Sequence, residues 1–394
     1  MANKAYKFRI YPSTEQKAFL AKCFGCSRFV YNHFLRLATD IYAESKKQLR
    51  YKDMAGLLTK LKLEDTYSWL SEVNSQSLQQ TLKNLESAYV AFFKKITAFP
   101  RFKSRSDRQS FRVPQHFSIT DDGKLKLPKM ASIPIVMHRT MEGEMKSVTI
   151  SKTATGKYYA SILVEYERQP TPLNGDKIGI DLGVKDFAIT STGDKYPNPK
   201  FLRRSQKRLK RLQRSLSRKV KGSENRDKAR LLVASTLELI AQQRQDMHHK
   251  LSFKLTCDNQ AIAVEDLNIK GMVKNHKLAR AISDAGWGQF VSMLSYKGEL
   301  YGCELRRIDR FFPSSKRCSN CGHIKENLTL DIREWDCTEC SVHHDRDVNA
   351  AKNILKFSQS TVGSTETNTP DEPVARQGNQ EGYFLGAGSL TPCG

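Results

Sequence analysis

The chain has 394 residues, enough for about two to three domains, and 39% of them are hydrophobic, so it can bury a sizeable core. It carries 65 Lys and Arg against 41 Asp and Glu, a formal net charge of +24. No stretch approaches the roughly 18 apolar residues of a membrane span, and no apolar N-terminal signal segment is apparent. Composition therefore argues against a membrane protein and favours a polyanionic partner, most commonly nucleic acid.

The N-terminal part of the sequence predicts a strand, a helical segment and then an antiparallel β unit. Residues 1–11 alternate basic with apolar side chains like a short strand, and Ser13 with Gln16 forms a capping box that marks a helix start. Between about residues 98 and 168, turn signals separate short alternating runs, which predicts a small antiparallel barrel. If the first strand belongs to that barrel, the helical residues 12–97 are an insertion.

The segment from residue 75 to 96 predicts a long amphipathic helix. Its large apolar residues recur at steps of three and four, which places them on one face. Gln79, Gln80 and Lys83 are left on the other face, and we expect them to be exposed. Because glutamine can pair with adenine in a major groove, these three residues are candidates for reading DNA.

From residue 176 the pattern becomes mixed α/β, and two apolar strands each carry one acid among small neighbours. In IGIDLGV, Asp181 shares a strand face with Gly179 and Gly183, and in AIAVEDL, Glu265 shares a face with alanines. Strands this apolar are usually covered on both faces, which argues against two ordinary solvated acids. Two strand acids and a helix acid could hold the pair of Mg²⁺ ions of a phosphodiesterase.

The stretch HHDRDVNAAKNIL, residues 343–355, offers two aspartates at the start of an alanine-rich helix. Asp345 and Asp347 are two positions apart, about 200° around a helix, so both cannot face the same metal pair. Ala350 and Ala351 are small enough to let the helix pack closely on the strands, and Asp347 shares their side. Asp345 stands where a helix N-cap belongs. Asp347 is therefore the better third acid.

Four of the nine cysteines form two close pairs, with two residues inside each pair and fifteen between the pairs: Cys318, Cys321, Cys337 and Cys340. Four thiolates at this spacing can close a tetrahedral zinc site. Because no coordination position is left open, the sequence predicts one structural Zn²⁺ ion. The nearby His343 and His344 show no partner in the sequence and are not predicted to be ligands.

A basic run at residues 203–221 contains ten Lys and Arg and no acid. Leucines at helical spacing give it one apolar stripe, so it predicts a docked helix with a basic outer face that could hold a nucleic-acid backbone. The predicted nucleic-acid contacts are Gln79, Gln80, Lys83, Lys103, Arg105, Arg204, Lys207, Arg208 and Arg211.

Taken together, these blocks resemble the TnpB (OrfB) proteins of bacterial and archaeal insertion sequences. The resemblance rests on GIDLGVKDFAI, AVEDLNIKGM, PSSKRCSNCG and HHDRDVNAAKNIL, in that order, and on YKFRIYPSTEQ, GCSRFVYN and FPRFKSRSDRQSFR nearer the N-terminus. It implies an RNA-guided DNA endonuclease of a transposable element, related to the type V CRISPR effectors. The implied partners are double-stranded DNA and a guide RNA from the transposon end, without a membrane, in the prokaryotic cytoplasm and on the nucleoid when bound to DNA.

The resemblance also implies a multidomain α+β fold and assigns the site residues. Asp181, Glu265 and Asp347 correspond to the family's RuvC acids, which hold two Mg²⁺ ions. The implied domains are a wedge-like β barrel (1–11 and 98–172), a helical recognition lobe (12–97), an RNase H-like RuvC nuclease domain (173–314 and 343–358), a zinc ribbon that binds the target nucleic acid (315–342) and a disordered tail (359–394).

Two other functions remain open on the sequence. A DDE-like transposase also uses an RNase H-like fold, but its last acid is normally a helix glutamate, whereas here the order is Asp, Glu, Asp with the glutamate on a strand. A non-cleaving, RNA-guided DNA-binding regulator would tolerate loss of the acids, and all three are present.

Overall fold

The computed structural model describes residues 2–167, 175–329 and 331–360, which form two compact units. The first unit comprises residues 2–167 and the second comprises the remaining described residues. Most of the predicted disordered tail, residues 361–394, lies outside the described residues. Residues 359 and 360 are instead the last two residues of a helix.

The first unit begins with a strand and continues into helices. Ser13 forms the predicted capping box: its Oγ accepts from the Gln16 amide at 3.2 Å, and its own amide donates to Gln16 Oε1 at 2.9 Å. The helices are α1 (Thr14–Ser45), α2 (Tyr51–Leu61), a 3-10 helix (Asp65–Glu72) and α3 (Ser75–Phe93).

Seven strands of the first unit form one curled sheet in the order β2-β6-β7-β1-β5-β4-β3. The strands are β1 (Ala2–Ile10), β2 (Gln109–Val113), β3 (Ser118–Ile119), β4 (Lys124–Lys126), β5 (Ile133–Val136), β6 (Glu144–Lys152) and β7 (Tyr158–Tyr166). β1 pairs antiparallel with β7 over its whole length, so the first strand does belong to the later sheet. Within the described residues no pairing of β2 with β3 closes the sheet into the predicted barrel.

The helices and the sheet of the first unit share one hydrophobic core. Phe8 on β1, Leu20 and Phe34 on α1, Leu82 on α3 and Ile150 on β6 are all fully buried in it. The helical segment lies in sequence between β1 and β2, and it packs against the sheet to which both strands belong.

The second unit is mixed α/β. Its strands are β8 (Asp176–Asp181), β9 (Asp186–Thr190), β10 (Lys195–Pro197), β11 (Asn259–Glu265), β12 (Glu304–Ile308), β13 (Glu334–Asp336) and β14 (His343–Asp345). Its helices are α4 (Phe201–Ser217), α5 (Glu224–Asp258), α6 (Ile269–Met272), α7 (Ala279–Ala285), α8 (Trp287–Tyr301) and α9 (Arg346–Ser360).

Five of these strands make a sheet in the order β10-β9-β8-β11-β12. The central strand β8 runs antiparallel to β9 and parallel to β11, and β11 runs parallel to β12. One face of the sheet packs on α5 and α8, where Ile180, Val264 and Phe290 are buried together. On the other face Ala263 and Ile308 pack with Ile354 of α9. Both faces are covered, as the apolar strands predict.

The described helices include none that is both long enough and apolar enough to span a membrane.

Candidate active site and metal centre

Two carboxylates meet where neighbouring parallel strands end. Asp181 is the last residue of β8 and Glu265 the last of β11, and these strands pair in parallel with Ile180 opposite Val264. Parallel strands end at the same edge of a sheet, so the two acids are neighbours. By strand alternation both lie on the sheet face that α9 covers.

α9 adds the third carboxylate, and Gly179 is the residue that lets this helix approach. A Cβ on Gly179 would lie 2.1 Å from the carbonyl oxygen of Ala351 and 2.8 Å from the amide nitrogen of Leu355. Only a residue without a side chain fits so close to another backbone. Asp347 lies in the first turn of this closely packed helix.

Both carboxylate oxygens of Asp345 interact with other groups. Its Oδ1 accepts from the amides of Asp347 at 3.1 Å and Val348 at 3.0 Å, which is the predicted N-cap role. Its Oδ2 forms an ion pair with Lys195. Although burial opposes ionisation, Lys195 and the two amides hold the pKa of Asp345 below its usual range.

The charges at the strand edge repel one another. Burial and then the negative charges of Glu265 and Asp347 raise the pKa of Asp181 to about 7, against a partial offset from the Arg346 guanidinium. Burial also raises the pKa of Glu265, although a hydrogen bond from the Ser314 hydroxyl, 2.5 Å from Glu265 Oε1, opposes the rise. The raised pKa of Asp181 indicates that Glu265 and Asp347 lie within electrostatic reach of it, and a bound cation would relieve this repulsion.

The donor set at this edge fits a hard divalent cation. Mg²⁺ prefers carboxylate oxygens and usually takes only one or two carboxylates, keeping water or phosphate in its other positions. Among the described residues, the one group of three or more possible ligands within 4.8 Å of one another is a set of cysteines, so at least one pair of the three carboxylates lies further apart than that. One ion held by all three acids would need them closer together, so this arrangement favours more than one ion.

The cysteine set is the predicted one: Cys318, Cys321, Cys337 and Cys340. Cys318 Sγ lies 3.6 Å from Cys340 Sγ, and Cys321 Sγ lies 3.6 Å from Cys337 Sγ. The corners of a tetrahedron with metal–sulfur bonds of 2.3 Å are about 3.8 Å apart, so the four sulfurs fit a zinc ion.

Each cysteine pair is held by its own tight turn. In the first turn the Cys318 amide donates to His323 O at 2.8 Å, and Gly322 adopts a φ of 84°. In the second turn the Cys337 amide donates to Val342 O at 3.0 Å, and Ser341 adopts a φ of 56°. These two matched turns present the sulfurs to a common centre.

The two histidines after the second turn have partners that the sequence does not reveal. The Nε2 atom of the buried His344 lies 3.0 Å from Cys318 Sγ, and its ring packs 4.8 Å from that of Trp335. His343 Nδ1 lies 2.8 Å from Asp336 Oδ1, and this acid raises the pKa of the histidine. Strand β14, which carries both, continues directly into Asp345 and α9.

Sequence reasoning missed the residues that support the acids. One is Ser314, whose hydroxyl donates to Glu265. The others are Asn349 and Asn353, which donate to backbone carbonyl oxygens in the same loop as Ser314. A signal was available for the asparagines: they are four residues apart on α9, on the same buried side as Ala350 and Ile354. Polar residues on a buried face need buried hydrogen-bond partners.

The basic helix α4 has the predicted form. Leu209 is buried, and the candidate residues Arg204, Lys207, Arg208 and Arg211 are all exposed. In place of a side-chain cap, the Asp284 carboxylate accepts from the backbone amides of Leu202 and Arg203 at the start of α4.

The candidates in the first unit are only partly placed as predicted. Gln79 and Lys83 are exposed, but the prediction for Gln80 is wrong: it is 8% exposed, and its Nε2 donates to Asn84 at 3.1 Å. α3 packs on α1, α2 and β2, so its buried arc is wider than the leucine stripe. Lys103 and Arg105 are both exposed, and the ammonium of Lys103 lies 3.8 Å from the ring centre of Tyr31.

Comparison with family models gives three matches along the chain. Residues 161–276 match a family described as "Probable transposase" (OrfB of IS605), and residues 287–354 match one described as "Cas12f1-like, TNB domain". Residues 1–47 match one described as "Helix-turn-helix domain", although in this chain they contain β1 and the whole of a single long helix, α1.

Two relatives match along nearly the whole chain. A Streptomyces pristinaespiralis protein named "Putative RNA-guided DNA endonuclease" is 42% identical over 379 residues, covering 95% of this chain and 94% of the relative. "Putative RNA-guided DNA endonuclease InsQ" of Escherichia coli (strain K12) is 32% identical over 391 residues, covering 95% and 97%. In fold, the chain is similar to the protein in a cryo-EM structure of a Cas12f1–sgRNA–target DNA complex, with a TM-score of 0.53, 13% identity, and coverage of 90% and 98%.

Proposed function

The chain belongs to the TnpB (OrfB) family, and from this premise we propose that it is an RNA-guided DNA endonuclease of a transposable element. It cleaves double-stranded DNA where a guide RNA from the transposon end pairs with the target beside a short DNA motif. In such a division of labour, base pairing reads the sequence and the protein reads only the flanking motif. It acts in the prokaryotic cytoplasm, associated with the nucleoid when bound to DNA.

One observation carries the cleavage activity: Asp181, Glu265 and Asp347 converge at one edge of the sheet, and the other two acids help raise the pKa of Asp181 to about 7. In this proposal the three carboxylates would hold two Mg²⁺ ions, as in a RuvC-type nuclease, and these ions would supply activation of the attacking water and stabilisation of the leaving oxygen. The chain's own contribution is to fix the acids by the sheet pairing and by the contact of α9 with Gly179.

The domain assignment is part of the proposal. The second unit, an antiparallel meander extended by two parallel strands, supports an RNase H-like nuclease domain at residues 173–314 and 343–358. The residues between, 315–342, form a zinc ribbon that binds the target nucleic acid. Residues 1–11 with 98–172 are the wedge, and residues 12–97 are the recognition lobe.

The zinc of this ribbon is structural in the proposal. All four tetrahedral positions are filled by cysteine sulfurs, which leaves no position for water or substrate. Its role is to hold together a module whose hydrophobic core is small, built around Leu328 and Trp335.

No observation favours the two other candidate functions. A regulator that binds DNA without cutting it has no need to keep three mutually repelling acids. A DDE-like transposase is expected to carry a glutamate where α9 carries Asp347. The guided endonuclease accounts for all three acids.

The test begins with the RNA. The protein is expressed together with the end of its element, the RNA that copurifies is sequenced, and plasmids are built in which the guide segment matches DNA beside a randomised flank. We expect Mg²⁺-dependent linearisation of plasmids that match the guide, confined to a subset of flanks.

The matched controls are two single substitutions. Asp181→Asn should abolish linearisation, whereas Asp186→Asn, on the neighbouring strand β9, should not. Cleavage at the same places by protein freed of RNA would contradict the guided model.

A further inference from the structure

The loop that leads from β12 to the first cysteine turn reaches the acid edge. Ser314 lies in this loop and is only 7% exposed. Its hydroxyl donates to Glu265 Oε1 at 2.5 Å. A hydroxyl bonded to an ionised carboxylate makes a short, strong hydrogen bond and fixes the carboxylate's orientation. Glu265 thus has one oxygen held by the protein and the other left for a ligand.

The same loop is fastened to α9 by two buried asparagines. Asn353 Nδ2 donates to the carbonyl oxygens of Ser314 at 2.8 Å and Arg317 at 2.5 Å. Asn349 Nδ2 donates to Arg317 O at 2.7 Å, and its Oδ1 accepts from the Ser319 amide at 2.8 Å. Asn349 and Asn353 are four residues apart on one face of α9, so the helix that carries Asp347 also sets the path of this loop.

The loop ends in the cysteine cluster. Cys318 directly follows Arg317, whose carbonyl both asparagines bind, and Ser319 is held by Asn349 and by Lys356. One stretch of backbone therefore joins a thiolate at one end to the hydroxyl on Glu265 at the other. A shift of this stretch would disturb both ion sites together.

We infer that Ser314 is a positioning residue for Glu265, and that Asn349 and Asn353 set its place so that the cysteine cluster and the acid edge form one structural unit. This inference rests on the proposed function, because it takes Glu265 to bind the divalent ion. Partners that orient a metal ligand typically change metal affinity or activity by about 10- to 100-fold when removed. We expect an effect of that size on divalent-ion binding.

The test compares Ser314→Ala with Ser314→Thr, which keeps the hydroxyl, and with Ser315→Ala, the neighbouring serine, which is only partly buried. Full-length protein with zinc bound is titrated with Mn²⁺, and the free ion is followed by electron paramagnetic resonance. Protein carrying Asp181→Asn is titrated in the same way, to measure the Mn²⁺ that binds at sites other than the acid edge. Ser314→Ala should weaken the acid-edge binding about 10- to 100-fold, whereas Ser314→Thr should restore it and Ser315→Ala should leave it unchanged.

Cleavage supplies the second readout. With the copurified RNA and a matched plasmid, Ser314→Ala should raise the Mg²⁺ concentration needed for half-maximal cleavage by a similar factor, with a smaller loss at saturating Mg²⁺. A general folding defect would lower the rate at all Mg²⁺ concentrations and would lower the melting temperature. That pattern overturns the inference.

The asparagines make the coupling testable. Asn353→Ala should raise the Mg²⁺ concentration needed for half-maximal cleavage and should also speed the loss of zinc to a chelator. Ser314→Ala should raise that Mg²⁺ concentration but leave the rate of zinc loss unchanged. Gln359→Ala, an exposed residue at the other end of α9, is the control and should change neither. An Asn353→Ala protein with normal zinc retention overturns the coupling.

The outcomes separate the two proposals. If Ser314→Ala binds Mn²⁺ like the unsubstituted protein, and Asp181→Asn does not, the positioning role fails and the nuclease proposal stands. If Asp181→Asn binds as many ions as the unsubstituted protein, the acid edge is not a metal site and both proposals fail.

Discussion

The second unit contains two candidate ion sites that are built in opposite ways. The cysteine cluster draws its ligands from residues 318–340 alone, and its sulfurs lie within 4.8 Å of one another. The acid edge draws one carboxylate each from β8, β11 and α9, and at least one pair of these carboxylates lies beyond that distance. Four cysteine sulfurs can complete a tetrahedral coordination shell, whereas in the proposed function the acid edge would leave positions for water and phosphate.

The difference also concerns what holds each site in place. Two tight turns set the sulfurs, so local sequence is nearly sufficient to build the cluster. The acids are held against their mutual repulsion by sheet pairing and helix packing, which depend on residues far apart in the chain. A closed local site suits a structural ion, and an open site assembled from a whole domain suits catalysis.

The largest expected effect comes from disrupting the closed site, the cysteine cluster. Cys337→Ser should remove zinc, because a hydroxyl is a poor substitute for a thiolate, and structural zinc is worth on the order of 10 kcal/mol to such a module. We expect zinc content near zero and a clearly lower melting temperature. Metal analysis and thermal unfolding of the purified protein measure both.

Cys303→Ser is the matched control for that experiment, because Cys303 is buried but lies outside the cluster. It should keep the zinc. Full metal content and unchanged melting in Cys337→Ser would show that the four cysteines do not bind a structural ion.

The next effect concerns the open site. Asp347→Ala should reduce Mg²⁺-dependent cleavage on the order of 10⁴-fold, the scale seen when one member of a catalytic group is removed. Guided DNA binding and zinc content should remain, because Asp347 makes only a long contact, 3.5 Å, with Arg333. Cleavage rates and filter binding at equal folded concentration provide the measurement.

Asp345→Asn is the companion variant. Asparagine caps a helix about as well as aspartate, so the amides of Asp347 and Val348 keep their acceptor. Loss of the ion pair with Lys195 should cost less than about 1 kcal/mol, since both partners are partly exposed. Most activity should survive. A dead Asp345→Asn with an active Asp347→Ala would mean that the third acid is the wrong aspartate.

The same contrast explains what could be predicted from sequence. The cysteine set follows from spacing, and the shared sheet face of Asp181 and Glu265 follows from strand alternation, because both patterns are local. Helix geometry alone predicts the N-cap role of Asp345, which its hydrogen bonds confirm, whereas the role of Asp347 as the third acid stays a prediction.

Other features depend on tertiary packing and could not be predicted. Gln80 is buried because three elements pack around α3, a fact that one helix's periodicity does not contain. Ser314 reaches Glu265 across 49 positions of sequence, through a loop whose path is set by Asn349 and Asn353 on another helix. His344 contacts Cys318 across 26 positions of sequence, a contact that neither cysteine turn contains by itself.

A smaller effect tests the raised pKa of Asp181 at the acid edge. The pKa of Asp181 is raised to about 7 by burial and by its acidic neighbours. An acid with a raised pKa in the folded protein contributes stability that is present below its unfolded value, near pH 4, and is lost as the pH rises through 7. Without Mg²⁺ and with zinc retained, Asp181→Asn should be more stable than the unsubstituted protein at pH 8, by on the order of 2–4 kcal/mol.

The pH and metal dependence distinguish this effect from a general one. At pH 4 the two proteins should unfold with nearly the same free energy. At pH 8, added Mg²⁺ should stabilise the unsubstituted protein but not Asp181→Asn. The difference between their free energies of unfolding should therefore become smaller. Denaturant unfolding at the two pH values gives the free energies, and a pH-independent difference would show that the pKa of Asp181 is not raised in the folded protein.

The smallest expected effect concerns the contact that brings the third acid to the edge. In Gly179→Ala the new Cβ would meet the Ala351 carbonyl oxygen, now 2.1 Å from that position, so α9 must move outward. Forcing extra atoms into a packed interior costs about 1–3 kcal/mol. Since α9 carries Asp347, and its Asn349 and Asn353 hold the backbone that leads into Cys318, we expect reduced cleavage that higher Mg²⁺ partly restores, together with faster loss of zinc to a chelator. Gly25→Ala on α1 is the control: its Cβ would meet no atom within 4 Å, and alanine favours a helix, so stability should stay equal or rise slightly. If Gly179→Ala retained zinc as firmly as the unsubstituted protein, α9 would support the acid edge alone, and its coupling to the cysteine cluster would be wrong.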